Sequence, residues 1–333
     1  MKLIKPETGR VRTGRMRIGV LLAAGTAAVL LFAAVTVFAG TVMNRDGSKS
    51  EWESVTIQNP EYASGYGSSE PVGYQPGSSG TSSGKAAVCD SREELEEIIR
   101  EKMIARTGTF TVRYQKTSKN DVLSAASFEK LMDEVFADDD ETNPSDSDYL
   151  RLSWTKGGYK AVSYERFVIY EFSYTYLTTL QQEKQVDASV SRIAAALSAG
   201  LQTDSQKVKA VNDYIVNYVA YDYQAENCSA YDALAEGTTI CRGYSLLAYR
   251  LLEEMGVPAK IITGASNGGP HAWNLVKVGG LWYNLDVTWN DTSESSRFYL
   301  KSDRDFSDHS RDTDFATSQF YAQYPMTALS WAK

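Results

Sequence analysis

The sequence predicts an α+β fold, because helical and strand-like periodicities alternate along most of the chain. Residues 242–255 place apolar side chains at helical spacing without an intervening proline, which predicts a helix. Residues 271–278 and 281–288 have a strand-like pattern of side chains, which predicts two strands. Gly279-Gly280 separates the strands and is a typical two-residue turn of a β-hairpin.

The N-terminal part predicts a membrane anchor. Residues 1–17 form a basic tail, and residues 18–39 are an uncharged apolar run that could span about 30 Å of hydrocarbon. This run is longer than the roughly 7–15 residues of a signal-peptide core, which favours a retained transmembrane helix or uncleaved signal. Val37-Phe38-Ala39 resembles a cleavage site, so secretion after cleavage stays open. The basic tail places the N-terminus in the cytoplasm and the remaining chain outside the cell membrane.

Residues 40–86 are predicted to form a flexible linker, because serine, glycine and proline dominate and apolar side chains are scarce. The chain has a net charge of −8, and the basic tail accounts for +5 of it, so the remainder carries −13. Such an acidic segment is unsuited to binding nucleic acid. We expect membrane contact through the N-terminal helix and no nucleic-acid partner.

Residues 87–186 predict an accessory α+β region. Ser91 and Glu94 form a capping-box pattern that opens a helix, and residues 108–114 alternate as a strand. The region has no histidine, so we expect it to pack on the rest of the chain and shape a substrate groove. Its other predicted elements are a helix at 128–136, a hairpin of 149–154 and 159–164 around Lys156-Gly157-Gly158, and a strand at 167–178.

Residues 187–333 contain the candidate catalytic side chains, Cys241, His271 and Asp286. Helices are predicted at 182–197 and from 203 to 218. Cys241 comes at or just before the first turn of a helix, where unpaired backbone N–H groups and the positive end of the helix dipole favour a thiolate.

The hairpin turn predicts the spacing of the other two side chains. If Gly279-Gly280 are the central turn residues, Val278 pairs with Leu281, and His271 becomes the diagonal neighbour of Asp286 on one face. A thiol, an imidazole and a carboxylate are the parts of a nucleophile, its base and the group that orients the base. The chain has only two histidines in 333 residues, and one of them takes this place.

Each of these residues also has an ordinary structural interpretation, as a buried cysteine, a packed histidine or a turn aspartate. His309 follows the motif in a Ser-Asp-His-Ser segment that predicts a surface loop. Cys89 and Cys228 could pair outside the cell or remain free.

Longer segments around the three side chains resemble a bacterial transglutaminase-like domain. They are Thr-Thr-Ile-Cys-Arg-Gly-Tyr-Ser, then Gly-Val-Pro-Ala-Lys-Ile-Ile-Thr-Gly, then His-Ala-Trp-Asn followed by Tyr-Asn-Leu-Asp-Val-Thr-Trp. The resemblance runs from about residue 204 to about residue 305. It implies a papain-like α+β core, in which the nucleophile helix packs on an antiparallel sheet. It also implies Cys241 as nucleophile, His271 as base and Asp286 as orienting acid.

The resemblance implies attack of a thiolate on an amide carbonyl of a protein or peptide substrate, with a thioester intermediate. Hydrolysis ranks slightly above cross-linking, and a cell-wall-associated substrate fits the predicted location. Trp273 and Trp282 could line a substrate groove, although a core position is an equal alternative. No calcium-binding loop motif is present, and we expect no cofactor. The alternative function is a cell-surface binding or assembly module with the same fold and no turnover.

Overall fold

The computed structural model describes residues 35–43, 49–58, 86–117, 122–137, 148–293 and 297–332. Its helices and strands form two groups, each around its own hydrophobic core. A smaller aromatic cluster lies in the C-terminal part of the second group. The predicted mixture of helices and strands is confirmed.

The first group is a six-stranded sheet with two helices packed on its buried face. In β6 (Phe167–Tyr176) every second side chain is buried, and this buried set belongs to the core that also contains side chains of both helices. Ser91 is the N-cap of the first helix as predicted, because its hydroxyl accepts a hydrogen bond from the Glu94 N–H at 3.1 Å. The reciprocal half of the predicted capping box is absent, since the Glu94 carboxylate accepts from the Asp90 N–H instead. The elements are β1 (Val35–Met43), β2 (Lys49–Gln58), β3 (Ala87–Cys89), α1 (Arg92–Ile104), β4 (Thr109–Gln115), α2 (Ala125–Val135), β5 (Trp154–Ser163) and β6 (Phe167–Tyr176), with strand order β1-β2-β5-β6-β4-β3.

Strands β1 and β2 lie where the sequence predicted a membrane helix up to residue 39 and a linker from residue 40, so both predictions are wrong over these strands. The strands pair with each other, and β2 also pairs with β5. Val55 and Ile57 alternate with more polar neighbours and are buried in the first core, which stabilises this pairing.

The rest of the predicted anchor and linker, residues 1–34, 44–48 and 59–85, lies outside the described residues. Within the described ranges, no helix is long and apolar enough to cross a bilayer.

The predicted hairpin at Gly157-Gly158 is wrong, because both residues continue inside β5. A Cβ at Gly157 would overlap the Tyr174 ring, and one at Gly158 would overlap the backbone carbonyl of Val55 on β2. The glycines therefore allow neighbouring groups to approach the strand closely. The chain reverses between β5 and β6 instead.

The second group surrounds a central helix, α7, which packs on a four-stranded antiparallel sheet of order β11-β10-β9-β12. The helices predicted at 182–197 and 203–218 are confirmed as α4 and α5, and α4 crosses the predicted boundary at residue 187. The elements are α3 (Asp148–Arg151), α4 (Leu180–Ser198), α5 (Asp204–Tyr218), β7 (Ala220–Tyr221), α6 (Ala230–Ala235), β8 (Thr238–Thr239), α7 (Cys241–Glu254), β9 (Ala259–Ser266), β10 (Gly269–Val278), β11 (Leu281–Leu285), α8 (Val287–Thr292), β12 (His309–Arg311) and α9 (Ser318–Gln323).

Buried polar contacts connect residues of the predicted accessory region to the second group. Asp148, which lies within 87–186 and begins α3, accepts a hydrogen bond from the Ile261 N–H of β9 at 2.6 Å and lies 3.2 Å from the Lys260 ammonium. Arg106, which follows α1, forms a 3.0 Å ion pair with Glu183 of α4. The accessory region therefore contacts the second group, while its expected role in shaping a substrate groove stays a prediction.

Candidate active site

Cys241 is the first residue of α7, as predicted. Ile240 caps the helix without a side-chain hydrogen bond, so the first turn keeps the positive end of the helix dipole near the thiol. A Cβ at Gly243 would overlap the Thr239 hydroxyl and approach the Ser229 carbonyl, so glycine allows this turn to pack against the preceding segment. The Cys241 thiol is therefore buried at the N-terminus of α7.

His271 and Asp286 lie side by side, on neighbouring strand ends. Val278 pairs with Leu281 across a turn in which Gly279 and Gly280 have φ of +60° and +86°, so the predicted register is confirmed. His271 Nε2 is 2.7 Å from Asp286 Oδ2, and Asp286 is fully buried.

Asp286 is fixed from a second side because it is also the N-cap of α8. Its Oδ1 accepts a hydrogen bond from the Trp289 N–H at 3.0 Å. The predicted strand at residues 286–288 is therefore wrong, since a helix starts after Asp286. The cap leaves Oδ2 directed at His271.

Cys241 lies close enough to His271 to contribute to the raised pKa of the imidazole. His271 Nε2 is engaged with Asp286, so Nδ1 is the ring nitrogen available to the thiol. Burial alone lowers the pKa of His271, but the Asp286 carboxylate and then Cys241 raise that pKa to about 10. Burial raises the pKa of Asp286, whereas His271, His309 and the Trp289 N–H lower it below its ordinary value. The arrangement therefore favours an imidazolium next to a carboxylate at neutral pH.

His309 also belongs to this cluster, so its predicted position in a surface loop is wrong. Its side chain is 1% exposed, and its Nε2 is 3.0 Å from Asp286 Oδ2. Strand β12 carries it there by pairing with β9. The one sequence signal was that histidine is rare in this chain; the pairing of a three-residue strand with a distant one leaves no periodic pattern.

Trp273 and Trp282 are buried, with exposed fractions of 1% and 7%, and both belong to the C-terminal aromatic cluster. Trp273 Nε1–H donates to Asn284 Oδ1 at 3.1 Å, which satisfies its polar atom inside the core. The core alternative is therefore favoured over a substrate groove for these two residues. Trp289 is only partly buried and meets the His271 ring edge to face, with centroids 6.1 Å apart.

Cys89 and Cys228 are free thiols in the structure, so they do not form the disulfide that the sequence left open. Burial raises the pKa of Cys89 to about 11, and nearby carboxylates add to the shift. Burial likewise raises the pKa of Cys228 to about 11, although Arg242 opposes it. Both environments keep the sulfur protonated and unreactive near neutral pH.

Among the described residues, His271, Asp286 and His309 have nitrogen and oxygen atoms within 4.8 Å of one another, a donor set that could hold a divalent cation. Direct hydrogen bonds of 2.7 and 3.0 Å already account for this proximity. We therefore assign the three side chains to a hydrogen-bond network.

Residues 191–287 match the family model described as the transglutaminase-like superfamily, and this range includes Cys241, His271 and Asp286. The chain carries a transglutaminase-like domain. The transglutaminase-like resemblance predicted from the sequence is thus confirmed over these residues.

The chain is also similar to two curated proteins, both named kyphoscoliosis peptidase. The mouse protein is 27% identical over 146 residues, which cover 37% of this chain and 22% of the relative. The human protein is 28% identical over 161 residues, which cover 39% of this chain and 24% of the relative. The match thus spans less than a quarter of the length of either relative.

Two solved structures show partial similarity. A TGase crystal structure is 16% identical, with a TM-score of 0.31, over 61% of this chain and 59% of that one. The periplasmic domain of TgpA from Pseudomonas aeruginosa, bound to ethylmercury, is 15% identical, with a TM-score of 0.26, over 38% of this chain and 59% of that one.

Proposed function

We propose that this chain is a cysteine enzyme that attacks amide bonds of proteins or peptides. Cys241 would be the nucleophile, His271 its base and proton donor, and Asp286 the group that orients the imidazole. The observation that carries the proposal is the 2.7 Å contact between His271 Nε2 and Asp286 Oδ2, beside a buried Cys241 at the first position of α7. The superfamily match over all three residues supports it.

The geometry supports a two-step acyl transfer. The Cys241 thiolate attacks the carbonyl carbon, and the N–H groups at the start of α7 stabilise the oxyanion. The protonated His271 donates to the leaving amine as the C–N bond breaks, which leaves a thioester and a neutral imidazole. His271 then removes a proton from water or an amine as it attacks the thioester, and the thiolate leaves.

Hydrolysis of a peptide or amide is the preferred outcome, and cross-linking by an amine acceptor is the competing one. The peptidase names of the two curated relatives support hydrolysis. A membrane-anchored, extracellular location remains part of the proposal, and it rests on the basic residues of 1–17 and on the apolar residues 18–34, which precede β1.

The test is turnover by the full chain on a casein digest, with and without an added primary amine. New N-termini in the products indicate hydrolysis, and incorporation of the amine indicates cross-linking. Cys241→Ala should abolish both products while near-ultraviolet circular dichroism stays unchanged. Cys228→Ala is the matched control and should keep full activity. Full activity of the Cys241→Ala protein would contradict the proposal.

A further inference from the structure

His309 is a buried titratable side chain that the proposed mechanism leaves without a role. Its ring stacks on Phe306 at a centroid distance of 3.8 Å and meets the edge of Trp273 at 5.1 Å. A polar ring in such apolar surroundings is costly unless its nitrogens are paired. Both nitrogens have partners, since Nε2 lies 3.0 Å from Asp286 Oδ2 and Nδ1 lies 3.0 Å from Asp308 Oδ1.

The sheet register places His309 beside His271. Strand β9 lies between the two histidine strands, and its Gly264 pairs with His271 on one side and with Arg311 on the other. His309 is two residues before Arg311, so it lies on the same face of the sheet as His271. The two imidazole rings are 5.3 Å apart. A Cβ at Gly264 would overlap the Ser310 carbonyl, so glycine lets the third strand approach.

The partners of His309 define its hydrogen-bonding state. Ionised carboxylates only accept hydrogen bonds, so a proton on Nε2 lets His309 donate to Asp286 Oδ2. The Asp308 carboxylate lies 3.0 Å from the other ring nitrogen, Nδ1.

Asp286 receives three hydrogen bonds in this arrangement. Trp289 N–H donates to Oδ1, while His271 and His309 both approach Oδ2. Rotation of the carboxylate would break the bond to His309 as well as the bond to His271. A second donor on Oδ2 therefore resists movement of the oxygen that orients the catalytic imidazole.

We propose that His309 is a positioning residue for the Cys241 site, holding Asp286 Oδ2 in line with His271. This inference rests on the proposed function and adds a fourth side chain to it. His309 acts through Asp286 and does not touch the reacting atoms. Asp308 in turn holds the outer nitrogen of His309, so the site extends to the edge strand of the sheet.

The test is the rate of iodoacetamide alkylation at Cys241 in the full chain, measured from pH 5 to 9 by mass spectrometry of the Cys241 peptide. His309→Phe keeps an aromatic ring among its aromatic neighbours but has no donor. We expect its alkylation to be about tenfold slower at pH 7, as loss of one hydrogen bond to a charged group implies. His309→Gln keeps an N–H that reaches Asp286 and should stay within about threefold of the wild-type rate. Ser310→Ala, at an exposed neighbour, is the matched control and should match the wild type.

A wild-type pH profile in His309→Phe, with slow alkylation in His271→Ala, would overturn the role of His309 and leave the proposed function intact. A wild-type profile in His271→Ala would instead overturn the proposed function itself. If circular dichroism shows that His309→Phe is unfolded, His309→Asn replaces it, because its shorter amide does not reach Asp286. Equal rates for the Gln and Asn variants would then overturn the proposal, and rescue by Gln alone would support it.

Discussion

Replacing Asp286 with Asn tests how the site holds a proton on His271. The Asp286 charge and hydrogen bond are the largest effects that raise the pKa of His271 to about 10, and burial opposes them. Without the carboxylate, burial is left as the largest effect, and it lowers this pKa. We therefore expect the His271 pKa to fall from about 10 to near or below the ordinary value of about 6.5.

The expected loss of turnover follows from the protonation state of His271 at neutral pH. At pH 7.5 His271 would pass from almost fully protonated to mostly neutral, and the imidazolium that donates to the leaving amine would be lost. A positioned proton donor typically contributes about 10²–10⁴-fold. We expect amide turnover of Asp286→Asn at pH 7.5 to fall by roughly that factor, with a smaller change in KM.

The assay is a nitrogen-15 NMR titration of the imidazole rings, which is simple because the chain has two histidines. The spectrum of His309→Gln assigns the two sets of signals. A His271 pKa near 10 in the wild type and at or below 6.5 in Asp286→Asn would agree with the reasoning. An unchanged His271 titration in Asp286→Asn would refute it.

Three further predictions concern stability and metals. Gly243→Ala should lower the free energy of unfolding by about 1–3 kcal/mol, because its Cβ overlaps the Thr239 hydroxyl; chemical denaturation measures this, and an unchanged midpoint would count against the packing described. Because folding raises the pKa of His271, protonated His271 stabilises the folded state fully below the unfolded pKa of about 6.5, and this stabilisation is lost as pH rises towards 10. The free energy of unfolding of the wild type should therefore fall between these pH values, and that of Asp286→Asn should change less. Treatment with EDTA should leave alkylation of Cys241 unchanged, because hydrogen bonds hold the cluster together; loss of reactivity that zinc restores would contradict this.

The local parts of the site were predictable from the sequence. The start of α7 at Cys241 follows from helical spacing, and Gly279-Gly280 determines the strand register that brings His271 to Asp286. Both signals come from short segments in which side-chain period and turn chemistry agree.

The long-range parts were not predictable in this way. His309 reaches Asp286 because β12 pairs with β9, and a strand of three residues has no readable period. Gly157 and Gly158 predict a turn from sequence, but they lie inside β5, where the Tyr174 ring and the Val55 carbonyl leave no space for a Cβ. Trp273 lies near His271 in the hairpin register, yet only the packing of the C-terminal aromatic cluster reveals that it is buried.

The central claim is that Cys241 and His271 form a live nucleophilic pair, and the pH dependence of iodoacetamide alkylation at Cys241 tests it most directly. The measurement uses the full chain, with the His271→Ala variant beside it. The account predicts fast alkylation that persists well below pH 8 and slows in the variant. Slow alkylation with a midpoint near that of free cysteine, about 8.5, and no effect of the variant would contradict it.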